Sequence, residues 1–423
     1  MTIRDMLGRS GVVSREEALS RLLEYAVSPV SGIEQIPIST ALGRVIAKDI
    51  IAPSDLPEFF RSTVDGYAVR GSDTFGAGES LPALFTVTAE IPMGGMPEAG
   101  IGKAECMKIA TGGALPRGAD AVVMLEYTQQ VDARTIEVMR PVAPLENVIQ
   151  AGDDIRKGET VLCRGHGIRP QDMAALAGLG ITSIAVYEMP RVAVISTGNE
   201  IVPADSVPQL GRIRDSNSYY LEGLILQSGC VPVRKGIVPD DYELLRSRVR
   251  ESLSECHMVI LTGGSSVGAA DYTEKVIDSF GPPGVLVHGV SLKPGKPLIA
   301  GWVGDVPVFG LPGHPVAVGV TFDLFVRPVL VKLRGESGYP VIGGLQGGRV
   351  VRARLARGIS SSAGREEHVR VTLEKRDGEI WARPVFGPSG LISTLVKSSG
   401  TVVVPSASPG IEAGQEVEVR LFL

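Results

Sequence analysis

The stretch MVILTGGSSVGAADY, residues 258–272, sets the architecture of the chain around it. Residues 258–261 are apolar and suit a buried strand. They run into Thr262-Gly263-Gly264-Ser265-Ser266-Val267-Gly268, and a helical pattern follows over residues 272–280. Glycines at such a turn let the backbone approach a ligand closely. Successive N–H groups and a helix N-terminus then favour an anion. Asp271 falls at the start of the expected helix, where it would cap the helix or hold a cation. A tight strand-to-helix turn with a capping aspartate would look the same when taken alone. The loop is not a P-loop, because no Gly-Lys-Ser/Thr follows, and it lacks GxGxxG spacing.

The same alternation continues on both sides. Strands are expected at residues 191–196, 232–238, 285–290, 298–303 and 306–309. Helices are expected at 218–227, 242–253 and from about 316 to 333. Short apolar strands separated by helices predict a doubly wound α/β domain, which binds ligands outside the carboxyl ends of its strands. Acids recur there: Glu200 after the first strand, Asp240 and Asp241 after the second, Asp271 after the third. Asp240 could equally be a helix cap. Two further loops supply cations and rigid turns. LKPGKP (292–297) presents Lys293 and Lys296 around a Pro-Gly turn, which suits phosphate or an oxyanion if they are not simply solvated lysines. FGLPGHP (309–315) sets Pro312, His314 and Pro315 after a strand, with Pro315 placed as a first helical residue. Acids and lysines converging on one edge point to a divalent cation bridging to an anionic ligand.

The rest of the chain differs in texture. Residues 14–25 read as a helix capped by Ser14, with Glu17 completing a capping box. Residues 33–51 read as strand, turn and strand. Residues 53–144 alternate short β segments with Gly/Pro turns, and residues 145–186 are mixed. A Gly-rich linker over 335–348 leads to a final β-rich stretch, 350–423. The expected division is therefore 1–52 together with 145–186 as a body domain, 53–144 as an inserted β-rich domain, 187–334 as the α/β domain, and 335–423 as a C-terminal β-barrel-like domain.

Composition excludes several classes. The 423 residues include 52 glycines and 29 prolines, yet 44% of the chain is hydrophobic. That combination favours specified turns over disorder. A net charge of −5 argues against a global basic surface for nucleic acid. The cysteines 106, 163, 230 and 256 form no CxxC pair, so buried free thiols are expected. The N-terminus lacks a signal-peptide apolar core, and no apolar run suits a membrane-spanning helix. A soluble cytoplasmic protein is expected.

Taken together, RSTVDGYA (61–68), KIATGGALPRGADAVV (108–123), GDDIRKGE (152–159), PRVAVISTGNE (190–200), GRIRDSNSYYL (211–221), ILTGGSSVGAADY (260–272), LKPGKP (292–297) and FGLPGHPVA (309–317) resemble one family, in its order and over nearly the whole chain. It is the molybdopterin molybdenumtransferases, the MoeA-type molybdenum insertases that include the gephyrin E domain. The resemblance implies a homodimer whose active site lies between the α/β domain of one subunit and parts of the other. It implies insertion of molybdate into adenylylated molybdopterin with release of AMP, aided by Mg²⁺ or a similar divalent ion. By the same resemblance Asp65, Thr111, Asp154, Glu200, Asp240 and Asp271 are catalytic, and the last three hold the metal. Gly263, Gly264, Ser265, Ser266, Lys293, Lys296, Pro312, His314, Pro315 and Ser389 would bind the pterin nucleotide or the oxyanion. Contact with a molybdopterin adenylyltransferase is also implied. Departures are His314 for a usual Asn, Val64 for Met, Gly113 for Ala, and GGSSVG for GGVSVG. The alternatives are a tungstate-preferring insertase, a molybdopterin adenylyltransferase sharing the α/β module, and a non-catalytic scaffold.

Overall fold

A computed structural model describes residues 12–26, 29, 32–263, 267–337 and 350–422, with backbone only for 267–271. The fold is multidomain: an α/β sheet domain, a β-rich region and a closed C-terminal barrel. Among the described residues no helix is long and apolar enough to cross a membrane.

The α/β domain is built on a six-stranded sheet in the order Val231–Val238, Arg191–Thr197, Met258–Gly263, Val306–Leu311, Ile299–Val303, Pro283–His288. The first four strands are parallel, and the last two join as antiparallel neighbours. Alternate side chains face opposite ways, as the pleat requires. Val192, Val194, Met258, Ile260, Phe309 and Leu311 pack with the helices Asn217–Gln227 and Arg15–Tyr25 and the helical run 315–333. Ala193, Ile195, Val259, Leu261 and Val308 pack on the other side with Leu245, Val249, Val276 and Ile277. Both faces are covered, which is why these strands read as continuous apolar runs.

Two helix boundaries differ from the sequence expectation. The helix after the glycine loop spans Val267–Asp278. Gly268-Ala269-Ala270 was too bland to show periodicity, but alanine is the best helix former and the helix simply starts earlier. Asp271 therefore lies in its second turn and not at its start. The run 315–333 is interrupted by a π-helical turn, Phe322–Val326, just before Pro328. Proline has no N–H to continue the α pattern, and a wider turn absorbs the missing bond. At the N-terminal helix Ser14 accepts a hydrogen bond from the Glu17 N–H. The Glu17 carboxylate pairs with Arg21, so this is a one-sided cap in place of the expected box.

A second six-stranded sheet runs Ala121–Met124, Gly66–Val69, Glu105–Ile109, Ala83–Glu90, Thr135–Val138, Thr128–Gln130. Gly66 is required there: a Cβ would stand 1.9 Å from the Val123 carbonyl oxygen. Short pairings carry the chain in and out. Arg61–Ser62 pairs with Val148–Ile149, Ile50–Ile51 with Thr160–Leu162, and Ile33–Pro37 with Ser183–Tyr187. Near the last of these, buried Asp172 accepts hydrogen bonds from the Arg169 backbone and guanidinium and lies 2.7 Å from His166 Nε2. Burial alone would raise its pKa, but the Arg169 and His166 bonds outweigh it and hold the carboxyl well below the ordinary range. The stabilisation is thus present above the unfolded carboxyl pKa and fades as pH falls through the lower folded value. Asp172→Ala is expected to cost about 3 kcal/mol at pH 7. Denaturant titration should show the mutational gap narrowing only in strong acid.

In the C-terminal domain the strands Glu366–Arg376, Glu379–Pro384, Val350–Leu355, Glu416–Leu421 and Gly400–Val404 follow one another, and the last pairs back to the first. This closes the barrel. Leu292–Lys293 from the α/β domain adds alongside Glu366–Arg376 and ties the lysine turn to the barrel wall.

Candidate functional site

At the carboxyl edge of the parallel strands, Thr197 and Gly263 are register partners. Gly263 has φ +116°, and a Cβ there would lie 2.0 Å from the Thr197 carbonyl oxygen. The glycine therefore satisfies both a left-handed backbone and a contact no side chain could share. Beyond it, Gly264, Ser265, Ser266 and the Asp271 side chain lie outside the described residues.

Asn217, at the start of its helix, donates through Nδ2 to Thr262 Oγ1 (3.1 Å) and to the Gly313 carbonyl (2.7 Å). One side chain thus locks the strand end before the glycine loop to the LPGHP turn. Next to it, buried Asp215 accepts from Ser196 Oγ (2.7 Å) and from the Ser218 N–H (3.1 Å). Sequence reasoning named neither residue as functional. The signal lay in DSN (215–217), where two acceptors flank a helix start.

The acids at this edge separate into roles. Asp241 caps the helix Tyr242–Glu255 by accepting from the Leu244 N–H. Asp240 is therefore not the cap. Its carboxylate faces the Asn199 N–H at 3.4 Å, and the Asn199 side-chain oxygen accepts from the Asp240 N–H. Glu200, exposed, follows directly and folds back over Gly198. Two carboxylates from neighbouring strand ends thus flank Asn199. Among the described residues no three His, Cys, Asp or Glu side chains cluster to hold a metal.

The cations and turns sit at the same edge. Lys293 pairs with Glu367 of the barrel at 2.9 Å. Lys296 makes no ion pair among the described residues. His314 precedes the helix Pro315–Thr321, with Pro315 at its first position and buried Pro312 behind. Its ring does not cap that helix. Nδ1 instead lies 2.8 Å from Ser389 Oγ, and the Ser389 carbonyl accepts from the Val316 N–H. A barrel loop therefore satisfies one of the orphan donors at this helix end. His314 and Ser389, far apart in sequence, form one interdomain contact.

Asp65, Thr111 and Asp154 lie elsewhere. Asp65 Oδ1 accepts from both the Thr111 N–H (2.7 Å) and its hydroxyl (3.0 Å), and these bonds hold the carboxyl below its ordinary pKa. Asp154 is exposed on a turn, its N–H donating to the Leu56 carbonyl. Among the described residues no hydrogen bond or ion pair joins this trio to the strand edge.

Comparisons with known proteins agree along the length of the chain. Residues 13–180 match the family model "MoeA N-terminal region (domain I and II)", 193–332 "Probable molybdopterin binding domain", and 352–422 "MoeA C-terminal region (domain IV)". A putative molybdopterin biosynthesis protein of Methanocaldococcus jannaschii is 38% identical over 97% of both chains. The molybdopterin molybdenumtransferase of Bacillus subtilis is 30% identical, over 99% of this chain and 96% of its own. The crystal structure of a molybdopterin biosynthesis moeA protein from Pyrococcus horikoshii superposes with a TM-score of 0.83 at 34% identity, covering 97% of this chain and 100% of that one.

Proposed function

Because the chain belongs to the MoeA family of molybdopterin molybdenumtransferases, we propose that it inserts molybdate into adenylylated molybdopterin and releases AMP. The observation that carries this reading is the single strand edge that gathers Gly263, Lys293, Lys296, Glu200, Asp240 and the His314–Ser389 contact.

Lys296, which makes no ion pair among the described residues, would meet phosphate or oxyanion charge. Lys293 would exchange Glu367 for substrate or share it. Asn217 keeps the two flanking loops at a fixed separation. Mg²⁺ commonly uses one or two carboxylates plus substrate phosphates, so exposed Glu200 and Asp240 fit it without a complete protein cage. When bound, the ion would neutralise charge on the phosphoanhydride. Asp65, kept ionised by Thr111, supplies a carboxylate to polarise water or an oxo group during cleavage.

Among the described residues of one chain, Asp65 and Thr111 are not bonded to the strand edge. A homodimer that brings one subunit's Asp65–Thr111 pair to its partner's edge accounts for both halves of the site. Asp154, Gly264, Ser265, Ser266, Asp271, Pro312 and Pro315 keep the binding or catalytic roles that family resemblance assigns, within the domain division at 1–52 with 145–186, 53–144, 187–334 and 335–423. A cytoplasmic setting and contact with an adenylyltransferase fit the same reading.

The test is AMP release from adenylylated molybdopterin with and without molybdate. Molybdate-dependent release is expected. Its absence, or synthesis of the adenylylated species from ATP, would place the chain with the adenylyltransferases instead. His314 bears on oxyanion choice, because its imidazole stands where relatives carry an amide and holds Ser389. His314→Asn is expected to change the molybdate-to-tungstate preference in competition binding by a few-fold. Identical preferences in the two proteins would contradict that role.

A further inference from the structure

The two lysines of LKPGKP differ in their surroundings. Lys296 makes no ion pair among the described residues, whereas Lys293 Nζ stands 2.9 Å from Glu367 Oε1. The carboxylate is the more firmly held of the pair. The Glu367 side chain is 13% exposed against 48% for Lys293, and its Oε2 accepts from Ser361 Oγ at 2.7 Å. One end of the contact is thus fixed in the barrel wall. The other is a long side chain that reaches solvent.

Docking of the lysine turn does not depend on this ion pair. Leu292–Lys293 already pairs in parallel with Glu366–Glu367, and the Glu366 N–H donates to the Ser291 carbonyl at 3.1 Å. Neighbouring residues of a strand point to opposite faces, so the two acids serve different partners. The Glu366 carboxylate meets His368 at 2.7 Å and Arg15 at 3.5 Å, and Glu367 is left to the lysine. A partly exposed ion pair adds little to stability. Its larger effect is on the charge that the turn presents. An ammonium has three N–H donors, so one bond to Glu367 leaves two for a ligand. The carboxylate beside it nevertheless offsets much of the attraction that an arriving anion would feel.

We propose that Glu367 is a positioning residue that tempers the hold of Lys293 on anionic ligands and thereby speeds departure of AMP. The inference rests on the reading of the strand edge as a site of AMP release. Ser361 keeps the carboxylate in place, so the ammonium cannot shed its counter-charge when phosphate arrives. Lys296 supplies the stronger attraction and Lys293 the weaker one. The site can then bind a phosphoanhydride and still let go of the phosphate it leaves.

The test compares the full chain with Glu367→Gln, a change of almost identical shape that keeps an oxygen for Ser361. AMP is the probe, in titration calorimetry at constant ionic strength. Glu367→Gln is expected to bind AMP about fivefold more tightly, the scale of one partly exposed charge interaction. In steady-state AMP release from adenylylated molybdopterin, KM and kcat should both fall by a similar factor, because product leaves more slowly. A residue that only supported the fold would give weaker binding and a raised KM. Glu367→Ala serves as a second neutral variant with the same expected gain, and Glu367→Asp, which keeps the charge, should stay near the parent. Adding Lys293→Gln should abolish the gain, since the carboxylate acts through that ammonium. Unchanged or weaker AMP binding in both neutral variants, or a gain that persists in full alongside Lys293→Gln, would overturn the assignment. A parent that releases no AMP with molybdate would instead contradict the reading of the strand edge, and this inference would fall with it.

Discussion

Gly263→Ala is expected to destabilise the α/β domain by about 3–5 kcal/mol and to abolish AMP release. Two costs add at this position. The backbone has φ +116°, which alanine adopts only with strain on the order of 1–3 kcal/mol. The new methyl would also lie 2.0 Å from the Thr197 carbonyl oxygen, a backbone atom fixed by the pairing of Arg191–Thr197 with Met258–Gly263. The strand end must therefore part from its neighbour, and the glycine loop moves with it. Gly43 supplies the contrast: its φ is +73°, but nothing lies within 4 Å of a built Cβ. Gly43→Ala should cost only about 1–2 kcal/mol, the conformational part alone. Denaturant unfolding of the two variants side by side would decide it, and equal losses would refute the close-contact argument.

Asp65→Ala should behave in the opposite way, with little change in stability and a fall in AMP release of about 100-fold or more. Asp65 is exposed, so its loss leaves no cavity. Its carboxylate is held in place and kept ionised by the Thr111 N–H and hydroxyl. Thr111→Val removes the hydroxyl but keeps the N–H, so its effect should be distinctly smaller. Since the folded pKa lies below the ordinary carboxylate value, activity should not decline through Asp65 protonation as pH falls from 7 to 5. A wild-type rate in Asp65→Ala would remove this residue from the chemistry.

The regular part of the fold was legible because both faces of the central sheet are covered. Its strands appear as apolar runs such as residues 192–195 and 258–261, with glycine or acid following beyond their ends. Helix starts were harder. Gly268-Ala269-Ala270 has no polar-apolar contrast to mark a face, and the doublet Asp240-Asp241 does not say which acid caps the helix. The candidate site was legible in its membership more than in its connections. His314 and Ser389 were each singled out, yet their contact depends on how the barrel docks on the α/β domain. Asn217 was missed for a related reason. An asparagine at a helix start looks like an ordinary cap, and only the tertiary structure brings Thr262 and Gly313 to its amide.

The central claim is that the Asp65–Thr111 pair of one subunit serves the strand edge of another. It is tested most directly by co-producing an Asp65→Ala chain with a Lys296→Ala chain and isolating the mixed dimer. Each homodimer should be inactive. The mixed dimer retains one site with both residues intact and should recover molybdate-dependent AMP release at about half the wild-type rate per dimer. A mixed dimer as inactive as its two parents would contradict a site shared between subunits.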